Sequence, residues 1–146
     1  MKITSEADYA LRITADLATQ RQVSDARSIS ERVKVSERFT VKILRKLILG
    51  GIVVSHKGVS GGYELAREPE TITMREIIEL IDGKLNISRC LDESYECSRM
   101  GMAKECCRFH LIFDKLNSQL AERLERITIG MVVDNGTEAS EILEKL

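Results

Sequence analysis

The 146-residue sequence contains one proline, two histidines and no long apolar run. With nine glycines, 43% hydrophobic residues and 31% charged residues, the composition is typical of a folded, soluble, helix-rich protein and not of a disordered one. No apolar stretch approaches the roughly 18 residues that a membrane span needs, and the residues from Met1 to Thr4 do not resemble a signal peptide. We therefore expect a cytoplasmic protein with no membrane partner.

The small number of histidines also bears on enzymatic activity. Two imidazoles offer little capacity for general acid–base chemistry. The sequence shows no nucleophile paired with a base, no phosphate-binding loop and no pair of catalytic carboxylates. The sequence therefore predicts a protein that is not an enzyme.

The charges nearly cancel over the whole chain, at a net −1, but they are unevenly distributed. Residues 1–67 carry 12 Lys and Arg against 7 Asp and Glu, whereas residues 68–146 carry 10 against 16. A basic half can approach a phosphate backbone while an acidic half stays clear of it. The asymmetry, from +5 to −6, suits a nucleic-acid partner, with ordinary variation of surface charge as the alternative.

Two helices are predicted in the first 35 residues. The first covers about residues 5–20, with Ser5 as its N-cap. The second begins at Ser28, where Ser28 and Glu31 have the spacing of a capping box, and it ends near residue 35.

A third helix follows almost at once. Ser36 caps it, and it covers about residues 37–49 before a Gly-Gly pair ends it. Because the turn between the second and third helices is so short, the two helices must cross, which predicts a helix-turn-helix.

The residue pattern then changes to that of a β-hairpin. Residues 52–55 and 63–66 are predicted strands, and the glycines of residues 58–62 indicate a flexible turn between them. A hairpin directly after a recognition helix is a wing. A fourth helix opens with a capping box from Thr73 to Glu76 and ends at residues 82–83.

The last predicted helix is long and carries an apolar seam. It covers about residues 106–129 and follows a polar loop, residues 84–105. Apolar residues recur in it at spacings of three and four: Phe113, Leu116, Leu120, Leu124 and Ile127. We expect the same helix of a second subunit to cover this seam, with packing onto its own domain as the alternative.

The predicted fold is mainly α with a small β-hairpin: a winged helix-turn-helix domain plus a long C-terminal dimerisation helix. Residues 1–83 form the DNA-binding domain and residues 84–105 the cysteine-bearing loop. Residues 106–130 form the dimerisation helix and residues 131–146 a C-terminal tail.

The outward face of the third helix supplies most of the candidate DNA contacts. Near its start, Arg can bond guanine, Glu can accept from cytosine and Thr can meet a thymine methyl, so we expect Glu37, Arg38 and Thr40 to read bases. Later side chains reach phosphates, as does the lysine of the wing. The predicted DNA-binding set is Ser36, Glu37, Arg38, Thr40, Lys42, Arg45, Lys46, Lys57 and Ser60.

All four cysteines fall within 18 residues of the acidic half: Cys90, Cys97, Cys106 and Cys107. Cytosolic proteins rarely keep structural disulfides, so such a cluster indicates metal or redox chemistry. Cysteine together with histidine suits zinc, and redox-active thiols are a further alternative.

Four stretches of the chain resemble the Rrf2 family of winged-helix regulators. They are residues 7–12, residues 39–44, the wing from Lys57 to Arg67, and residues 124–133. The resemblance implies a homodimer that binds a pseudo-palindromic operator, with a crossed pair of long helices as the dimer interface. Where the family usually has Arg-Gly at the wing, this chain has Lys57 and Gly58, so a phosphate contact is kept but a planar two-pronged contact is lost.

The same resemblance implies an iron–sulfur cluster, either 2Fe-2S or 4Fe-4S. Cluster-binding members carry three cysteines before the dimer helix, and Cys90 and Cys97 would be two of them, although the spacing is longer here. Register along the dimer helix favours Cys107 over Cys106 as the third. Cys106 would then be a spare or resolving thiol. The fourth ligand would be His110 for a two-iron cluster, or Asp8 of the other subunit for a four-iron cluster.

The sequence as a whole predicts a homodimeric transcriptional regulator, expected to repress, whose cluster senses iron–sulfur status, redox state or nitric oxide. The alternative is a cluster-free winged-helix regulator controlled by a partner protein or by zinc or thiol switching.

Overall fold

The computed structural model describes residues 3–97, 106–136 and 138–144. Within these ranges the chain is mainly helical, with a single β-hairpin, as predicted. The helices are α1 Ser5–Gln20, α2 Ala26–Val33, α3 Glu37–Leu49, α4 Met74–Asp82, α5 Arg108–Arg126, α6 Ile129–Val133 and α7 Ala139–Glu144; the strands are β1 Val53–His56 and β2 Gly62–Leu65; 3-10 turns lie at Pro69–Thr71 and Arg89–Leu91. None of the described helices combines the length and apolarity of a membrane span.

α1 has its predicted bounds, α2 begins and ends about two residues earlier than predicted, and both helices have N-caps other than the predicted ones. Thr4, and not Ser5, caps α1, because Thr4 is extended and its hydroxyl accepts a hydrogen bond from the Ala7 amide at 3.2 Å. Asp25, and not Ser28, caps α2 in the same way, and hydrogen bonds from Ser28 lower the pKa of its carboxyl. The predicted capping box at the start of α2 was therefore wrong.

α3 has its predicted bounds, although the Ser36 side chain makes no capping hydrogen bond, and one apolar face anchors the helix. Lys34, in the left-handed region at φ 57°, reverses the chain between α2 and α3. Ile43, Leu44 and Leu47 of α3 are fully buried in the core, which they share with α1, α2 and β1. This burial holds the opposite face of α3 toward solvent.

The hairpin is joined to the loop between α1 and α2 as well as to its own strands. β1 and β2 pair antiparallel, with Val53 opposite Leu65. Ser24 and Tyr63 form an isolated bridge with amide–carbonyl hydrogen bonds of 2.9 and 3.0 Å. A side chain at Gly62 would lie 2.6 Å from the Ser24 carbonyl oxygen, so only glycine permits this close approach.

The predicted long final helix is interrupted. α5 ends at Arg126, and the next two residues are extended, because backbone hydrogen bonds join Met74 to Ile127 (2.9 Å) and Ile129 to Ile72 (2.8 Å). Ile127 is buried in the protomer at 3% exposure. Ile127 therefore belongs to the core of this domain and not to the exposed seam.

α5 itself contributes no buried residue to the protomer among those described. Its side chains Phe109, Ile112 and Leu116, at helical spacing, are 57%, 55% and 48% exposed. Toward its middle, Asn117 contacts the loop after α4: its Oδ1 accepts from the Ile87 amide (3.1 Å) and its Nδ2 donates to the Leu85 carbonyl (2.8 Å). One helix thus carries an open apolar face and a fixed connection to the start of the cysteine loop.

Candidate nucleic-acid interface and cysteine loop

The solvent face of α3 is basic, and part of it makes no internal ion pair. Ser36, Glu37, Arg38, Lys42 and Arg45 are exposed. Within the described ranges, no carboxylate pairs with Arg38 or Arg45. The structure thus places two unpaired guanidinium groups and one carboxylate on the side of α3 that faces away from the core.

Thr40 does not belong to this surface. Its side chain is 0% exposed, and its hydroxyl is buried with no hydrogen-bond partner. The prediction that Thr40 faces outward was wrong, because Thr40 shares the i, i+3, i+4, i+7 face of Ile43, Leu44 and Leu47. The spacing can be read from the sequence, but threonine is polar, and the residue was therefore assigned to the solvent face.

Replacing Thr40 with valine tests this correction. Because the substitution keeps the shape and removes an unsatisfied buried hydroxyl, we expect Thr40→Val to raise the free energy of unfolding by about 1 kcal/mol, measured by urea titration. Thr14→Val is the matched control, since Thr14 is equally buried but its hydroxyl donates to the Ala10 carbonyl at 2.8 Å. The control should show no gain. A loss of DNA affinity in Thr40→Val would return this residue to the DNA-contacting set.

Two lysines of α3 share one carboxylate of α1. Glu6 Oε1 lies 2.7 Å from the Lys46 Nζ, and Glu6 Oε2 lies 3.2 Å from the Lys42 Nζ. The close contact with the Lys46 ammonium, aided by Lys42, lowers the pKa of Glu6 below its ordinary value. Sequence reasoning missed Glu6, because an acid in the first turn of a helix is common and its partners lie 36 and 40 positions away.

The start of α1 is packed on the start of α3 by aromatic and cationic contacts. The Tyr9 and Phe39 rings meet edge to face with centroids 5.9 Å apart, and the Arg12 guanidinium lies 5.7 Å from the Tyr9 ring centre. Arg12 also pairs with Asp8 at 2.7 Å. The predicted cluster ligand Asp8 is thus held in an ion pair on its own helix.

The wing presents its turn to solvent. Lys57, Val59 and Ser60 are exposed, and the Gly58 backbone has a φ of 109°, which favours glycine. Behind the turn, His56 Nε2 lies 2.7 Å from Glu64 Oε1 on the opposite strand. The predicted wing residues Lys57 and Ser60 are therefore free to meet a partner.

The four cysteines differ in exposure and in local structure. Cys90 is half-buried in the 3-10 turn Arg89–Leu91, with its Sγ 3.2 Å from the Ser88 hydroxyl, and Cys97 is exposed. Cys106 is exposed and Cys107 is half-buried at the N-cap position of α5. The part of the chain that the structure describes does not bring three potential ligands within reach of one metal ion.

His110 is the remaining predicted ligand and lies one helical turn after Cys107. It is half-buried, and its Nδ1 is buried without a hydrogen-bond partner among the described residues. Buried polar atoms normally have partners, so an orphaned imidazole nitrogen beside a cysteine is a feature that a ligand would explain. The donor set, thiols with one imidazole, fits an iron–sulfur cluster in kind.

Comparisons with known proteins cover nearly the whole chain. The model of the Rrf2 family, described as an iron-dependent transcriptional regulator, matches residues 3–135. An HTH-type transcriptional regulator from Aquifex aeolicus (strain VF5) is 34% identical over 127 residues, 86% of this chain and 87% of that protein. The HTH-type transcriptional regulator NsrR of Bacillus subtilis (strain 168) is 27% identical over 146 residues, 99% of this chain and 98% of that protein. Among solved structures, IscR of T. potens aligns with a TM-score of 0.70 at 26% identity, covering 95% of this chain and 90% of that chain.

Proposed function

Because this chain belongs to the Rrf2 family of transcriptional regulators, we propose that it is a cytoplasmic homodimer that binds an operator and represses transcription. In this proposal an iron–sulfur cluster senses the signal. The main support is the exposed basic face of α3. This helix follows the turn of the helix-turn-helix and directly precedes the wing. Recognition helices of this arrangement enter the major groove. The family's relatives are named as regulators and not as enzymes.

The DNA contacts divide by chemistry. Glu37 and Arg38, at the start of α3, read base edges, because the first turn of a recognition helix lies deepest in the groove. The remaining residues of the predicted set, cations and serine hydroxyls, meet phosphates, which position the protein without reading sequence. The proposed phosphate contacts are Ser36, Lys42, Arg45, Lys46, Lys57 and Ser60.

The homodimer is supported by the apolar face of α5. Phe109, Ile112 and Leu116 are about half exposed in the protomer, and contiguous apolar patches of this kind mark interaction sites. Their spacing of three and four suits the same helix of a second copy. Two recognition helices joined in this way would meet two half-sites of one operator.

Cys90, Cys97, Cys107 and His110 are the proposed ligands of an iron–sulfur cluster. We favour His110 over Asp8 as the fourth ligand, since the His110 Nδ1 is unpartnered whereas Asp8 is paired with Arg12. When bound, such a cluster supplies sensitivity to iron supply, oxidation and nitric oxide. Holding it would require the loop that contains Cys90 and Cys97 to close on the start of α5.

The chain's own contacts would carry the state of this loop to the dimer interface. Asn117 binds the backbone at both Leu85 and Ile87, three to five residues before Cys90. Arg75 of α4 lies between Glu79 and Glu125, and thereby links α4 to α5. A change in the loop's position therefore acts on α5, and α5 sets the separation of the two recognition helices.

The test is iron, sulfide and zinc content together with the visible spectrum of protein purified without oxygen. We expect iron and acid-labile sulfide in the wild type, and their loss in Cys97→Ala and Cys107→Ala. The neighbouring Cys106→Ala is the matched control and should keep both elements. His110→Ala should change the spectrum, and Asp8→Asn should not.

The opposite results are equally informative. Zinc in place of iron, or a colourless protein after reconstitution with iron and sulfide, would exclude the cluster and leave a DNA-binding regulator with a thiol or zinc switch. Loss of iron in Cys106→Ala but not in Cys107→Ala would exchange the roles of these two cysteines.

A further inference from the structure

Glu6 occupies an unusual place for an acid in a DNA-binding protein. Its side chain projects from the first turn of α1 onto α3. Each of its two carboxylate oxygens forms an ion pair with a different lysine of the recognition helix. Its side chain is only 20% exposed, so the carboxylate is held between the two helices. Lys42 and Lys46 are one turn apart on α3 and present their ammonium groups to this single acceptor.

The geometry is that of a lysine pair on a phosphate. A DNA phosphate offers anionic oxygens to neighbouring cations at hydrogen-bond distance, as Glu6 does here at 2.7 and 3.2 Å. We infer that Glu6 is an internal substitute for a DNA phosphate, which lowers the affinity of α3 for any duplex until DNA displaces it. This inference rests on the proposed function of α3 as the recognition helix.

The physical consequence concerns the part of the affinity that is independent of sequence. With Glu6 ionised, the group of Glu6, Lys42 and Lys46 carries a net charge of +1, so one of its two cations is already neutralised. Any phosphate that approaches the lysines also meets the carboxylate and is repelled by it. Base reading by Glu37 and Arg38 is unaffected, so the penalty is the same for an operator and for unrelated DNA.

The experiment is a titration of a short mixed-sequence duplex by fluorescence anisotropy at several KCl concentrations, with full-length protein. We expect Glu6→Gln to bind about five-fold tighter at low salt, a gain of the size that one exposed ion pair contributes. The slope of log affinity against log salt should steepen by about 0.9 per protomer, because one more cation is available to phosphate. An operator selected from random duplexes should gain by the same factor.

Three controls separate this role from a structural one. Glu6→Asp keeps the charge and should bind like the wild type. Glu141→Gln, an exposed acid on α7, changes the net charge equally and should leave affinity and slope unchanged. In a Lys42→Gln/Lys46→Gln background, Glu6→Gln should give no gain. Thermal unfolding of each variant shows that the fold is kept.

The outcomes distinguish a failure of the inference about Glu6 from a failure of the proposed function. If the wild type binds DNA but Glu6→Gln changes neither affinity nor slope, or if Glu141→Gln gives the same gain, the inference about Glu6 is wrong and the proposed function stands. If the gain persists without the two lysines, the carboxylate acts on DNA in another way and the inference also fails. If the wild type binds no duplex at any salt concentration, the proposed function fails and the inference with it.

Discussion

Leu116→Glu is expected to convert the proposed homodimer to a monomer and to weaken operator binding by about 100-fold or more, because the second half-site is then no longer bound from the same molecule. Leu116 is 48% exposed in the protomer, so the substitution leaves the winged domain folded. It places a charge on the apolar face of α5 that Leu116 forms together with Phe109 and Ile112. An unpaired buried charge is among the costliest changes that an interface can undergo.

Sedimentation equilibrium and operator titration measure the two effects together. Ser118→Glu is the matched control, since Ser118 lies on the same helix, is exposed and is turned away from the seam. It should remain dimeric and bind normally. A dimeric Leu116→Glu protein would show that α5 is not the interface, and a monomer with full operator affinity would show that dimerisation is not needed for binding.

Arg38→Ala is expected to reduce operator affinity by roughly 1–3 kcal/mol, and to relax the base preference at one position of each half-site. Arg38 is exposed at the start of α3 and makes no ion pair with any described residue, so its removal loses no internal contact of the protomer. The measurement is operator titration in parallel with a set of duplexes that vary one base pair at a time.

Arg45→Ala is the comparison within the same helix. Arg45 lies two turns further along α3, where phosphate contact is expected, so its loss should weaken binding equally for all duplexes and reduce the salt slope by about one. If Arg38→Ala also weakened every duplex equally, Arg38 would be a phosphate contact and the base-reading role would move elsewhere on α3.

The helix-turn-helix and the wing were predictable because their signals are local. A Gly-Gly pair ends α3, and a cluster of glycines separates two short strands, so each boundary depends on residues within a few positions. The N-caps were displaced because Thr4 and Ser5 are both good caps and only the backbone conformation decides between them. Likewise, Asp25 is the N-cap of α2 in place of Ser28. Asp and Ser have similar N-cap propensities, so propensity alone does not predict which of them caps the helix.

The burial of Thr40 followed from local spacing on α3. Other features that the sequence did not reveal depend on contacts between residues distant in sequence. α5 ends at Arg126 because the backbone of Ile127 and Ile129 forms hydrogen bonds with the backbone at residues 72–74. The residue pattern within α5 does not predict this end. Glu6 acquires its role only because the fold brings α1 onto α3. The cysteine ligands stay a prediction, since a loop's composition indicates which metal it favours but not how its thiols are arranged.

The extended residues after α5 bear on which sequence changes the apolar face of α5 can tolerate. Hydrogen bonds from Met74 to Ile127 and from Ile129 to Ile72 lie on either side of Thr128, and both are made by the main chain. The direction in which α5 leaves the domain is thus fixed by peptide geometry, and it does not depend on which side chains line the apolar face. The proposed dimerisation surface on α5 can therefore accept new side chains, and even a new pairing preference, while the direction of α5 relative to the domain stays constant.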